Sequence, residues 1–173
     1  VVRGDMAIPP QTQTLAILQR DRIFLIAPPK TNLESFRDLR RQTLGMLEGA
    51  VNNDALLDRI LAFYGVEPDQ VTRIPVKAAE AGQILQRKRA AAILVVGTPD
   101  RSPAIDAFNA VEKAFKAPAE VIGIDEAEAM SDRMPFVTSG EIAIGAFRGR
   151  YPDEAVTTLT VAYHLIVPRS MSN

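Results

Sequence analysis

The sequence contains no cysteine and only one histidine among its 173 residues. The lack of cysteine excludes thiol catalysis, a disulfide framework and zinc sites with cysteine ligands. It does not distinguish a bacterial cytoplasm from a periplasm. No apolar run approaches the roughly 20 residues that a membrane-spanning helix requires. These absences leave a globular chain without the usual thiol and metal chemistry.

An excess of charge of either sign is also missing. The chain has 20 Lys and Arg against 21 Asp and Glu, a formal net charge of −1, and the two signs are interleaved. No basic field exists for a nucleic acid, so we expect no nucleic-acid partner. Apolar residues make up 47% and charged residues 24%, which is typical of one folded domain of ordinary size.

Strand-like and helix-like segments alternate along the chain with short connections, which predicts a three-layer α/β sheet. The predicted strands are 1–8, 15–18, 23–27, 43–47, 71–76, 90–96, 121–124 and 156–167, and the predicted helices are 33–39, 53–64, 78–88, 103–115 and 126–133. The pair 15–18 and 23–27 is expected to turn around residues 19–21. Asn32 and Ser102 are the predicted caps of the first and fourth helices.

The segment 43–64 predicts a strand, a polar turn and a helix in succession. Asn52 or Asn53 is a suitable N-cap, and Gly65 ends the helix. A helix N-terminus at the carboxyl end of a strand offers free backbone N–H groups to a small anion. The alternative, which stays open here, is an ordinary capped unit that binds nothing.

A second turn, 97–100, follows the aliphatic strand predicted at 90–96. Open α/β sheets place their ligands at the carboxyl ends of parallel strands. We therefore predict that ligand contacts come from both turns. The candidate ligand-binding residues are Gly49, Ala50, Val51, Asn52, Asn53, Gly97, Thr98, Pro99 and Asp100. For Asn53, a role confined to capping its helix is an equal alternative.

Catalytic chemistry has little support in the sequence. His164 lies inside a predicted strand and is expected to be structural. The acidic residues lack metal-ligand spacing, and no Gly-Lys-Ser/Thr follows Gly49 to complete a phosphate loop. No nucleophile has an adjacent base. We predict no catalytic residue, no metal and no cofactor.

The first thirty residues and the last dozen bracket the central block with strand-like segments, and we expect them to lie outside its sheet. We expect 1–30 to be the hinge-side remnant of a first lobe, 31–155 a complete α/β ligand-binding lobe, and 156–173 the strand that returns to the first lobe. The chain begins at Val1 within a predicted strand. We therefore expect a piece of a longer protein, whose targeting or anchoring segments lie outside it.

Several segments, in their order and spacing, carry a resemblance to a known family. They are DLRRQTLG at 38–45, ILQRKRAAAI at 84–93, VGTP at 96–99, SPAI at 102–105, and the return strand with Tyr151, Pro152, Val156, Thr158, Val161, Leu165 and Val167. From about residue 22 to 168, the chain resembles the solute-binding subunits of tripartite ATP-independent periplasmic (TRAP) transporters, within these the TAXI family. The chain departs from the family in two places. Glu48 stands in a run that is usually Gly, Ser and Thr. The Q-D loop of the family's first lobe has no clear counterpart, because residues 8–11 occupy its place and Gln11 is the nearest match.

The resemblance implies a type 2 periplasmic-binding-protein fold and a periplasmic or extracytoplasmic receptor, anchored, if at all, through segments outside this chain. Such a receptor captures a small, carboxylate-bearing solute and delivers it to membrane permease subunits. It is not an enzyme. A ligand-sensing domain of a regulator and an enzyme on the same fold are the alternatives. We also expect this piece alone to bind solute weakly or not at all. We expect the apolar strands 23–26 and 163–167 to have exposed edges through which the piece self-associates.

Overall fold

The computed structural model describes residues 1–49 and 52–169. Its strands are β1 (Val2–Arg3), β2 (Thr12–Ala27), β3 (Thr43–Leu47), β4 (Thr72–Val76), β5 (Ala92–Gly97), β6 (Glu120–Ile122), β7 (Val137–Ile142) and β8 (Val156–Pro168). Its α-helices are α1 (Asn53–Phe63), α2 (Ala81–Gln86), α3 (Ala104–Phe115) and α4 (Ala127–Arg133). No α-helix in these described ranges combines the length and apolar character that crossing a bilayer requires.

One mixed sheet contains all eight strands. Its main path runs β1-β8-β2-β5-β3-β4, with β6 paired to β2 and β7 paired to β8. The strands β3, β4 and β5 are parallel, whereas β2 is antiparallel to both β5 and β8. The parallel part requires helical crossovers, and α1, between β3 and β4, and α2, between β4 and β5, supply them. The predicted α/β fold class is confirmed.

Hydrophobic clusters cover both faces of the sheet, as three layers require. Alternation along β2 sends Ile23 and Leu25 to one face and Phe24 and Ile26 to the other, and all four are fully buried. The first face packs against α1 and α4, and the second packs against α2 and α3. The central strands are therefore held from both sides, which fixes the positions of their carboxyl ends.

The prediction of two strands around residues 19–21 is wrong. β2 runs without a turn and pairs with β8 from Thr12 to Ile23, with register shifts between Thr14 and Ala16 and between Ile17 and Gln19. Because β8 provides hydrogen-bond partners for the backbone of the polar residues 19–21, the chain stays extended there instead of turning. The expectation that both ends of the chain lie outside the sheet is also wrong, since β2 and β8 are central to it. The division into lobe and remnants stays a prediction.

Several predicted boundaries also differ. Instead of a helix over 33–39, a 3₁₀ helix spans Phe36–Leu39 and is capped by Ser35, because Asp38 completes a capping box. The helix predicted from 103 begins at Ala104, and the Ser102 hydroxyl bonds to the Asp106 carboxylate instead of a backbone N–H. The helix predicted over 78–88 is the 3₁₀ turn 78–80 followed by α2. The strand predicted over 1–8 is confined to β1 (Val2–Arg3), and the sequence did not predict β7.

The strand 23–26, expected to be an exposed edge, is buried and paired on both sides by β5 and by β8 or β6. The exposed apolar surface lies farther along the same pair of strands. Residues 12–18 and 165–168 form a two-stranded extension, which we call the β2–β8 ribbon. On it, Leu15 and Leu18 are 63% and 56% exposed.

Self-association of this chain therefore stays a prediction, with the contact placed on the β2–β8 ribbon, which includes 165–167 of the predicted segments but not 23–26. We expect a twofold dimer at micromolar concentration, because the ribbon exposes large apolar side chains on a strand pair. Sedimentation velocity measures it. Leu18→Glu is expected to give a monomer, whereas Ser139→Glu, at an exposed position of β7, leaves the dimer intact. A wild-type chain that sediments as a monomer contradicts the prediction.

Candidate functional site

A cleft of about 330 Å³ lies where β3 and β5 end. Because these strands are parallel neighbours, their carboxyl ends open at the same edge of the sheet. The chain turns there at Glu48 and Gly49 after β3 and at Thr98 after β5, and β2 and β8 supply the opposite wall. The cleft is lined by Gln19, Asp21, Leu47, Glu48, Gly49, Val96, Gly97, Thr98, Arg101, Ser102, Pro103 and Tyr163.

The predicted ligand-binding residues divide among several places. Gly49, Gly97 and Thr98 line the cleft. Pro99 and Asp100 line a neighbouring cavity of about 220 Å³, to which Thr98 also contributes. Ala50 and Val51 lie outside the described residues. The two turns are therefore brought together at one edge of the sheet, while ligand contact at each residue stays a prediction.

The two asparagines at the start of α1 do not line the cleft. Asn52 adopts a left-handed conformation with φ of 59°, and its side chain makes no capping hydrogen bond. Asn53 is buried, and its Oδ1 accepts a hydrogen bond of 2.7 Å from Nη1 of Arg3. The alternative role of Asn53 as the cap of its helix is wrong, because Asn52 occupies the cap position. Asn53 instead connects α1 to the N-terminal strand.

Arg3 is the centre of a buried polar network beside the cleft. Its Nε and Nη2 donate to the two carboxylate oxygens of Asp5 at 2.6 and 2.9 Å, and the side chains are 0% and 3% exposed. Burial acts to lower the pKa of Arg3, but the hydrogen bonds and charge of Asp5 outweigh it and raise that pKa. Arg3 also interacts with Tyr163. The network thus joins β1, α1 and β8.

Asp21 is the buried carboxylate of the cleft, at 4% exposure. The Gln19 amide donates to its Oδ1, and the Thr98 hydroxyl lies 3.4 Å from the same atom. Burial and the negative charge of Asp21 raise the pKa of Tyr163 above its usual value, so the phenol stays protonated at neutral pH. Sequence reasoning predicted Thr98 but missed Gln19, Asp21 and Tyr163. The one available signal was Gln19 and Asp21, two apart on what proved to be a single strand, which places both on one face.

His164 lies within β8 and faces away from the cleft. It lines a separate cavity of about 280 Å³ together with Gly4, Arg20 and Phe136. Within the part of the chain that the structure describes, its Nδ1 is buried and has no hydrogen-bond partner. The residue is an element of the sheet, paired with Val2 and Ile17.

A sequence comparison identifies the family. A family model described as NMT1/THI5 like matches residues 9–99, just over half of the chain. The chain belongs to the NMT1/THI5-like family. The matched residues include β2, β3 and β5, and with them Asp21, the turn after β3 and residues 97–99 of the turn after β5. No curated protein sequence matches the chain.

Among solved structures, the chain is similar to the periplasmic aliphatic sulphonate-binding protein SsuA of Escherichia coli, at 14% identity and a TM-score of 0.43, over 58% of this chain and 29% of that protein. A putative periplasmic sulfonate-binding protein from Methylobacillus flagellatus KT gives 14% identity and a TM-score of 0.47, over 65% and 31%. The GluR0 ligand-binding core in complex with L-glutamate gives 13% and 0.48, over 95% and 53%. The chain therefore spans from under a third to about half the length of these proteins.

Proposed function

We propose that this chain is the ligand-binding lobe of an extracytoplasmic solute-binding protein and that it holds a small solute in the cleft at the ends of β3 and β5. Its main support is the composition of that cleft. Backbone turns from two parallel strands face Gln19, Asp21 and Tyr163 from two antiparallel ones, around a volume of about 330 Å³. Small-molecule sites have this character, a concave space with a few convergent polar groups.

The role we propose is binding for transport and not catalysis. The TAXI resemblance supports a TRAP-type transporter, whose membrane permease subunits would be the protein partners. It also supports a carboxylate-bearing solute. In the cleft, Arg101 is the cationic side chain suited to a carboxylate, beside the start of α3. The proteins matched by structure are longer than this chain, so we propose that a second lobe closes over the solute by hinge motion.

The test introduces a large side chain at a residue that lines the cleft. Gly97 lines it, and a Cβ at this residue would meet only Val95 Cγ1, at 3.9 Å, an ordinary van der Waals contact, so the backbone there accepts a side chain. Gly97→Phe in the full-length protein should lower solute affinity at least about a hundredfold, equivalent to roughly 3 kcal/mol. The measurement is mass spectrometry of the small molecule released from the purified protein.

Ser139→Phe is the matched control, since Ser139 is exposed on β7 and does not line the cleft. It should retain the small molecule at the wild-type level. If Gly97→Phe releases as much of that molecule as wild type does, the cleft is not the binding site and the proposed function is wrong.

A further inference from the structure

Asp21 differs from the other buried carboxylate near the cleft in having no cationic partner. Its neighbours are the neutral amide of Gln19, the hydroxyl of Thr98 and the phenol of Tyr163. Within residues 1–49 and 52–169, no lysine or arginine nitrogen lies within 4.0 Å of its oxygens. Asp5, by contrast, is paired with Arg3.

The side chains of Arg20 and Arg22, the arginines nearest to Asp21 in sequence, do not contact it. Alternation along β2 places Arg20 and Arg22 on the face opposite Asp21. Arg22 donates to the backbone oxygens of Glu141 and Arg20, and Arg20 lines the cavity of His164. Arg101 is exposed at the cleft and is not ion-paired with Asp21. Arg3 interacts with the same Tyr163 but is ion-paired with Asp5. The wall of the cleft therefore holds a buried carboxylate without a direct cationic partner.

A buried carboxylate without a cation is unfavourable, and a cation that enters the site offsets that cost. Three features of the cleft suit a positively charged group on the solute. Glu48 adds a second carboxylate to the lining. Tyr163 and Thr98 offer hydroxyl oxygens as further acceptors for an N–H donor. The pKa of Tyr163 is raised, so its phenol stays neutral and places a hydroxyl beside Asp21.

We propose that the solute carries a protonated amine and that Asp21 binds this ammonium group, with Gln19 and Thr98 holding the carboxylate in position. This inference rests on the proposed function, because it names the chemistry of the solute that the cleft holds. It adds an ammonium group to the carboxylate that the resemblance implies, so small amino acids are the class that satisfies both.

The test uses pairs of probes that differ only in the amine. They are L-alanine and L-lactate, L-leucine and L-2-hydroxyisocaproate, L-glutamate and L-2-hydroxyglutarate, and putrescine and 1,4-butanediol. Calorimetric titration of the full-length protein should find at least one amine that binds about thirtyfold or more tightly than its hydroxyl partner, as expected for a buried charged hydrogen bond. Asp21→Asn should reduce that ratio to about threefold or less, while Asp21→Glu retains a preference for the amine.

Asp132→Asn is the matched control, because it makes the same change at an exposed position of α4 away from the cleft. It should keep the wild-type ratio. Thermal melting separates binding from folding. Asp21→Asn removes a buried charge that has no cationic partner, so it should melt at or above the wild-type temperature. If Asp21→Asn fails to fold, the ratio of amine to hydroxyl affinity measured on the wild-type protein tests the inference by itself.

Each outcome has one meaning. Hydroxyl probes that bind as tightly as their amines overturn the role of Asp21 and leave binding at the cleft intact. An amine preference that survives in Asp21→Asn has the same consequence. A wild-type protein that binds none of the eight probes overturns this inference, and if it also releases no small molecule, the proposed function fails with it.

Discussion

Replacing Asp5 with asparagine is expected to lower the free energy of unfolding by about 3–5 kcal/mol, since it leaves Arg3 charged and buried without its carboxylate. Arg3 is 1% exposed, and Asp5 accepts two of its hydrogen bonds. The remaining partners, Asn53 and Tyr163, are neutral and cannot balance the charge. Urea unfolding of the chain, followed by circular dichroism, measures the change.

Asp54→Asn is the matched control for this prediction. Asp54 also pairs with an arginine, Arg73, at 3.0 Å, but its side chain is 72% exposed. Exposed ion pairs are worth about 0–1 kcal/mol, so this variant should unfold within about 1 kcal/mol of wild type. Equal losses from the two substitutions would mean that the Arg3–Asp5 pair is no more important than a surface contact.

The sequence predicts the part of the site that local patterns determine. Aliphatic runs such as 92–96 and helical spacing in α1 identify parallel strands and their crossovers. The carboxyl ends of adjacent parallel strands lie at the same edge of a sheet, so the sequence alone predicts that the turns at Gly49 and Gly97 lie close together. Gly97 and Thr98 line the cleft for this reason.

The other wall of the cleft depends on contacts that local patterns do not show. Asp21 and Tyr163 approach each other because β2 and β8 pair along most of their lengths, and their sequences do not encode that register locally. Asn53 has the residue type of a cap, but a buried arginine 50 residues away binds its side chain. In both cases a long-range contact determines the structure in place of the local preference: β8 pairs through the turn predicted at 19–21, and Arg3 binds the side chain predicted to cap α1.

The segment between β7 and β8 shows the same limit. The sequence 137–155 contains no clear period, and β7 was not predicted, yet its strand pairs with β8 from Val137 to Ile142. The following loop is held by Phe147, which is 1% exposed among exposed neighbours such as Arg148. A single aromatic residue can anchor a loop when its ring packs into the hydrophobic core. The core residues that contact Phe147 are distant in sequence, so only the folded structure identifies them.

Phe147→Ala is accordingly expected to lower the free energy of unfolding by about 3–5 kcal/mol, the usual cost of deleting a buried aromatic ring. The ring stacks on Phe108 of α3 at 4.4 Å between centroids and meets Phe24 of β2 edge-on at 5.9 Å. Its removal leaves a cavity between the sheet and α3 and frees the loop that precedes β8. Urea unfolding again gives the measurement.

Two further variants make the result specific to the ring. Ile144→Ala changes an apolar residue of the same loop that is 68% exposed, and it should stay within about 0.5 kcal/mol of wild type. Phe147→Leu keeps most of the apolar volume, so its loss should be well below that of alanine. A Phe147→Ala protein as stable as Ile144→Ala would show that the loop does not depend on its aromatic contact with the core.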